Sequence, residues 1–242
     1  MTALANLKVK IFADGADLDG MKAMYKNPLI KGFTTNPTLM RRDGVTDYEG
    51  FARDVIKVIP DRPVSFEVFA DDADGMERQA LEIASWGANV NVKIPVTNTK
   101  GDFMGDVISR LSMAGVIVNI TAVMTLDQVR RITDSLDNGT AAIVSMFAGR
   151  IADTGVDPMP VMAEAVDILK AKPKAELLWA SSRELLNIFH AEHVGCHIIT
   201  VTNDVLKKLD LIGKNLDDYS LDTVKMFFTD AESAGFDIEL KG

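Results

Sequence analysis

VNVKIPV, residues 90–96, is the stretch on which the reading of this chain turns. Side chains two apart on a strand share a face. An extended conformation therefore puts Val90, Val92, Ile94 and Val96 on one side and Asn91 with Lys93 on the other. The first side is apolar throughout and suits packing beneath helices. The second sets a lysine in the middle of an apolar strand, and burying such a face against apolar helices would be costly.

Working outward, seven further β-rich runs share this character: KVKIFAD ending at Asp14, GFTTNP from Gly32, VSFEVFA from Val64, VIVNITAV from Val116, AAIVSMFAG from Ala141, ELLWAS ending at Ser181 and HIITVT from His197. Longer amphipathic stretches separate them, which is the pattern of repeated βα units and a parallel sheet. The clearest helices span 72–86 and 158–171, and after the last strand 203–211 and 221–234 read as closing and C-terminal helices. Splitting each run into two faces gives a recurring polar set: Asp14, Thr34 with Asn36, Ser65 with Glu67, Asn91 with Lys93, Asn119 with Thr121, and Ser145 beside Phe147. An open doubly wound sheet would bury both faces against helices. A closed barrel turns one face inward and gathers polar groups at its C-terminal mouth. The expectation is an α/β fold, a (βα)8 TIM barrel as one domain over residues 1–242, with residues 221–242 as an additional C-terminal helical extension. The length of 242 residues agrees with the roughly 250 typical of that barrel.

Composition narrows the function classes. The 26 basic and 35 acidic side chains give a net charge of −9, with no basic patch, so nucleic acid is not an expected partner. No run reaches membrane-spanning length, and MTALANLKVK (1–10) lacks the charged and apolar regions of a signal peptide, so a cytoplasmic protein is expected. The single cysteine, Cys196, excludes an internal disulfide. His190, His193, Cys196 and His197 cluster in sequence, but at the end of a helix and the start of the eighth strand they belong to the N-terminal face of a barrel, where capping and core roles suit them better than zinc. Asp71, Asp72 and Asp74 precede Gly75 as in a calcium loop, yet Ala70 and Leu81 stand where carboxylates are needed, and the run reads as the acidic opening of a helix.

Two readings of Lys93 stand side by side. Burial disfavours the charged ammonium, and a neutral amine is a nucleophile toward carbonyls. A lysine in a barrel interior can equally be a structural ion-pair partner of Glu67 or Asp14.

The ordered motifs FAD with Asp14, TTNP (34–37), FEV with Glu67, VKIPVT with Lys93, NITAV with Asn119 and Thr121, GRI with Arg150, and AS-x-R with Ser181 and Arg183 resemble the transaldolase family, which includes the fructose-6-phosphate aldolases, over nearly the whole chain. The resemblance implies that Lys93 forms a Schiff base with a ketose phosphate, with Asp14 as the base in carbon–carbon cleavage and Glu67 with Thr121 holding a water for proton shuttling. It also implies substrate contacts from Thr34, Asn36, Asn119, Ser145 and Phe147, a phosphate clamp of Arg150, Arg183 and Ser181, and no cofactor or metal. A three-carbon dihydroxyacetone unit would pass from a donor such as sedoheptulose 7-phosphate or fructose 6-phosphate to an aldose phosphate, as in the pentose phosphate pathway.

Within the family the aldolases resemble one another in carrying Tyr at the place of Phe147 and Gln at the place of Glu67. Phe and Glu here favour transfer over release, with a fructose-6-phosphate aldolase-like lyase as the alternative. Ser182 stands where an aromatic residue is usual, which leaves room for an unusual sugar, sulfonated or longer-chain. A non-enzymatic sugar-phosphate-binding barrel would leave Lys93, Asp14 and Glu67 idle. Short family members form rings, so a homo-oligomer, pentamer or decamer, is expected, with VKMFFTDAESAGF from Val224 available for packing on a neighbour or on its own barrel.

Overall fold

In the computed structural model, which describes residue 4 and residues 6–238, the decisive segment forms β4, Val90–Pro95, between β3, Val64–Glu67, and β5, Val118–Val123. With β1 (Lys10–Asp14), β2 (Ile30–Thr34), β6 (Ala142–Met146), β7 (Ala175–Trp179) and β8 (Ile198–Thr202), these strands close in sequence order, β8 pairing in parallel with β1. The expected barrel is therefore the observed one. The helices between strands are α1 (Leu18–Tyr25), α2 (Pro37–Arg42), α3 (Tyr48–Val58), α4 (Ala73–Ser85), α5 (Gly105–Met113), α6 (Leu126–Ser135), α7 (Ala148–Asp153), α8 (Pro158–Leu169) and α9 (Leu186–His193). Several open on a short polar side chain that accepts an otherwise orphaned helix N–H: Asp17, Asp47, Asp72, Thr125 and Asp157. Asp72 in that role is the helix opening read from the acidic run. Its neighbour Asp71 instead accepts from the Thr99 N–H and hydroxyl, at 2.8 and 2.5 Å.

The outward faces are packed as the alternation requires, with Val92, Ile94, Val118 and Ile120 wholly buried. The inward side is divided. Thr34, Ser65, Asn91 and Asn119 line the β2 to β5 half, whereas Phe12, Ile143, Leu178 and Ile198 form an apolar cluster across the other half, with Phe147 packed on it. Phe12 fits only because residue 32 is glycine: a Cβ there would lie 2.5 Å from the ring.

Several element ends differ from expectation. β2 stops at Thr34, because Pro37 has no N–H to continue the ladder and begins α2, so Asn36 is the cap of that helix and not a strand residue. Phe147 and Ser181 likewise lie just beyond β6 and β7. The expected helix over 203–211 divides into α10, Asn203–Leu206, and a 3₁₀ turn, Leu209–Leu211.

The chain separates into two compact units, meeting in sequence at Lys207 and Lys208. The second contains α11, Leu216–Ala234, which starts five residues before the expected Leu221 because Asn215 caps it, accepting from Asp217 and Asp218 N–H groups. Gly235, in the left-handed region at φ 67°, ends it. Residues 1–3 and 5, and residues 239–242 of the expected extension, lie outside the described residues. Among the described residues, no helix is long and apolar enough to cross a membrane.

Candidate active site

A cavity of about 410 Å³ opens at the C-terminal ends of the strands, the end at which barrel enzymes carry their chemistry. Lys93 rises from β4 into it and is 7% exposed. Its ammonium group donates to the Thr35 carbonyl at 2.8 Å and pairs with Glu67 Oε2 at 3.0 Å. The partnership follows from register, since Glu67 of β3 lies directly opposite Lys93.

Asp14, at the end of β1, accepts from the Thr34 hydroxyl at 2.8 Å and from Asn36 Nδ2 at 3.5 Å. Thr34 in turn meets the Thr200 hydroxyl at 2.5 Å. Burial raises the Asp14 pKa, and the charge of Lys93 and the Thr34 and Asn36 hydrogen bonds oppose that rise. Asn36 also accepts from the Leu39 N–H at 2.9 Å, which fixes its amide.

Thr121 lines the cavity from β5, whose ladder to β6 is interrupted between Ile120 and Val123. The interruption holds Ala122 at φ 61°, and Ser181 at φ 60° is the other non-glycine residue with positive φ among the described residues. Both border the cavity, and such backbone strain concentrates at functional sites. Asn119 is beside Lys93 in register but wholly buried, its amide donating to Ser65 Oγ at 3.0 Å and accepting from Ser145 Oγ at 2.6 Å. It supports the cavity floor through Ser145, which does line the cavity.

The rim is cationic. Arg150 of α7 is exposed and lies 5.8 Å from the Phe147 ring centroid. Arg183 grips Asp153, also of α7, through two hydrogen bonds, Nε to Oδ1 at 3.0 Å and Nη2 to Oδ2. The first turn of α7 and the segment after β7 approach closely because residue 149 is glycine; a Cβ there would fall 1.6 Å from the Ser181 carbonyl oxygen. Ser182 turns inward, and its hydroxyl donates to the Thr200 carbonyl at 3.0 Å.

A family model described as Transaldolase/Fructose-6-phosphate aldolase matches residues 11–240. The chain belongs to that family. A probable transaldolase of Dehalococcoides mccartyi is 36% identical over 202 residues, covering 83% of this chain and 90% of its own. One from Roseiflexus castenholzii is 34% identical over 205 residues, with 83% and 88% covered. Among solved structures, 3-hexulose-6-phosphate synthase from Salmonella typhimurium superposes with a TM-score of 0.56 at 16% identity, over 84% of this chain and 92% of that one. KGPDC from Streptococcus mutans does so at 0.57 and 12%, over 84% and 91%. These two likenesses speak to the barrel alone.

In this transaldolase-family enzyme, several wall or support residues escaped the sequence reading. Thr200 and Thr202 obey the same alternation in β8 as Lys93 does in β4, but threonines in HIITVT read as ordinary strand formers. Asp153 had a local signal, lying one helical turn from Arg150. Tyr48, at the start of α3, had none.

Proposed function

We propose that this enzyme transfers a dihydroxyacetone unit between sugar phosphates through a Schiff base on Lys93. The observation that carries the reading is a nearly buried lysine, ion-paired to Glu67 and facing a polar cavity that also presents Asp14. The ion pair that was the structural alternative for Lys93 serves the chemistry: Glu67 takes the ammonium proton and leaves a neutral amine to attack the ketose C2 carbonyl. Loss of water gives the iminium. Asp14, whose raised pKa makes it a better proton acceptor, removes the C4 hydroxyl proton as the C3–C4 bond breaks, and the electron pair moves into the iminium as an enamine. The aldehyde leaves. An acceptor aldehyde then takes the enamine carbon, Asp14 returns the proton, and hydrolysis with a water held by Glu67 and Thr121 frees Lys93.

Asn36 and Thr34 would hold donor hydroxyls beside Asp14, and Asn119 would act through Ser145. Arg150 and Arg183, with Ser181, would take the phosphate, two guanidinium groups giving local attraction on an otherwise acidic protein. Phe147 offers no proton or hydroxyl to hydrolytic quenching of the enamine, which favours transfer over release. In the second unit, Leu221, Val224 and Phe228 recur at helical spacing and are exposed, Phe228 at 64%, which supports burial against another copy in a pentamer or decamer. The proposed setting is the cytoplasm.

The test is a pair of assays with fructose 6-phosphate as donor, with and without erythrose 4-phosphate. Acceptor-dependent appearance of a seven-carbon ketose phosphate with little free dihydroxyacetone is expected. Free dihydroxyacetone as the main product would favour the lyase, and turnover of neither kind would point to an unusual sugar.

A further inference from the structure

The end of β3 carries an irregularity that the proposed mechanism does not use. β2 and β3 pair at Phe33 with Val64 and Thr34 with Ser65, and the Thr35 N–H donates to the Ser65 carbonyl at 3.3 Å. By the alternation of a parallel ladder, the next rung would join the Glu67 N–H to the Thr35 carbonyl, and the Glu67 carbonyl to the N–H of residue 37. Neither bond forms. The Thr35 carbonyl accepts from Lys93 Nζ instead, and residue 37 is a proline with no N–H. Both orphaned groups of Glu67 are met by one side chain: the Tyr48 hydroxyl accepts from the Glu67 N–H at 2.7 Å and donates to its carbonyl at 2.8 Å.

We propose that Tyr48 is a positioning residue for Glu67, its phenol replacing the missing rung so that the Thr35 carbonyl stays free for Lys93 and the Glu67 carboxylate is held at ion-pair distance. The geometry suits the task. Tyr48 is the first residue of α3, directly after the Asp47 cap, and its ring is set edge-on against Phe69 at 4.6 Å, Trp86 at 5.9 Å and Phe66 at 6.3 Å between centroids. A ring wedged among three others gives its hydroxyl little freedom to leave. Burial also pushes the phenol pKa up, so the hydroxyl keeps the proton it donates.

The assignment rests on the Schiff-base reading, and its test separates the two. The rate of borohydride-trappable adduct formation with dihydroxyacetone, in a single turnover and per folded molecule, is measured for the wild-type protein and for Tyr48→Phe, Glu67→Gln and the double variant. General acid–base help is worth about 10²- to 10⁴-fold, and losing part of it predicts that Tyr48→Phe is about tenfold slower at saturating dihydroxyacetone, with the half-saturating concentration unchanged. In the Glu67→Gln background the same change should cost less than about twofold, because the group being positioned is gone. An equal slowing in both backgrounds, or none in either, would overturn the assignment. No adduct on the wild-type protein would instead overturn the Schiff-base reading. Amide exchange on the unaltered protein is independent of any variant's folding: the Glu67 N–H should exchange as slowly as the core of β3, and rapid exchange would remove the clamp whatever the chemistry.

Discussion

The two ends of the barrel are built from the same strands and hold their polar groups on opposite terms. At the N-terminal end several polar groups of the described residues are matched one to another. Glu192 accepts from the Lys8 and Val9 N–H groups at 2.9 and 2.8 Å, Lys10 pairs with Glu176 at 2.5 Å, and His197 Nδ1 accepts from the Leu177 N–H at 3.0 Å. The Cys196 thiol sits between the Leu177 and Ile198 carbonyls, and burial pushes its pKa up to about 12, which makes it inert. At the mouth, a carboxylate is held with a raised pKa, a lysine and a glutamate are paired in near burial, and two non-glycine residues adopt positive φ. One end is arranged for stability. The other accepts local cost, as sites of chemistry do.

Substitutions should separate the ends, and the largest effect is expected at Asp14. Asp14→Asn should slow transfer by about 10²- to 10⁴-fold while raising thermal stability at neutral pH. The sign follows from linkage. A carboxyl whose folded pKa is raised contributes stability fully present below its unfolded value, near 3.8, and lost as pH rises through the folded value. The Tm advantage of the Asn protein should therefore grow from acidic to neutral pH. A loss of stability at pH 7 would break the contrast between the ends.

A smaller effect is expected at the rim. If Asp153 orients the Arg183 fork for phosphate, Asp153→Asn should raise KM for a phosphorylated donor by roughly three- to tenfold, the modest size reflecting the solvent around both groups, and leave KM for dihydroxyacetone alone. Equal changes for both donors would mean that Asp153 supports the loop and not the anion site. The smallest effect on activity belongs to the other end. Glu192→Ala strips an acceptor from two N–H groups and should lower stability by about 1 kcal/mol, read by denaturant titration, with kcat unchanged.

How much of this was legible in the sequence follows from which interactions have a period. Asp14, Thr34, Ser65, Glu67, Lys93, Asn119, Thr121 and Ser145 could be gathered because strand alternation sends one face inward, and a polar residue on that face is conspicuous. The apolar half of the interior was not legible, since Phe12, Ile143 and Leu178 resemble the outward-packed residues. Tyr48 reaches Glu67 across 19 residues of sequence, from a helix start to a strand end, and no periodicity links such a pair. The interruption at Ala122, within the β5 ladder to β6, and the grip of Arg183 on Asp153 of α7 likewise depend on how separate segments meet, not on any one segment's pattern.

Every role proposed at the mouth depends on Lys93 being the nucleophile. Intact mass and peptide mapping after incubation with fructose 6-phosphate and borohydride test it most directly. One three-carbon adduct per chain is expected, on Lys93, diminished when acceptor aldehyde is added before reduction. An adduct on another lysine, or none with any ketose phosphate, would contradict it.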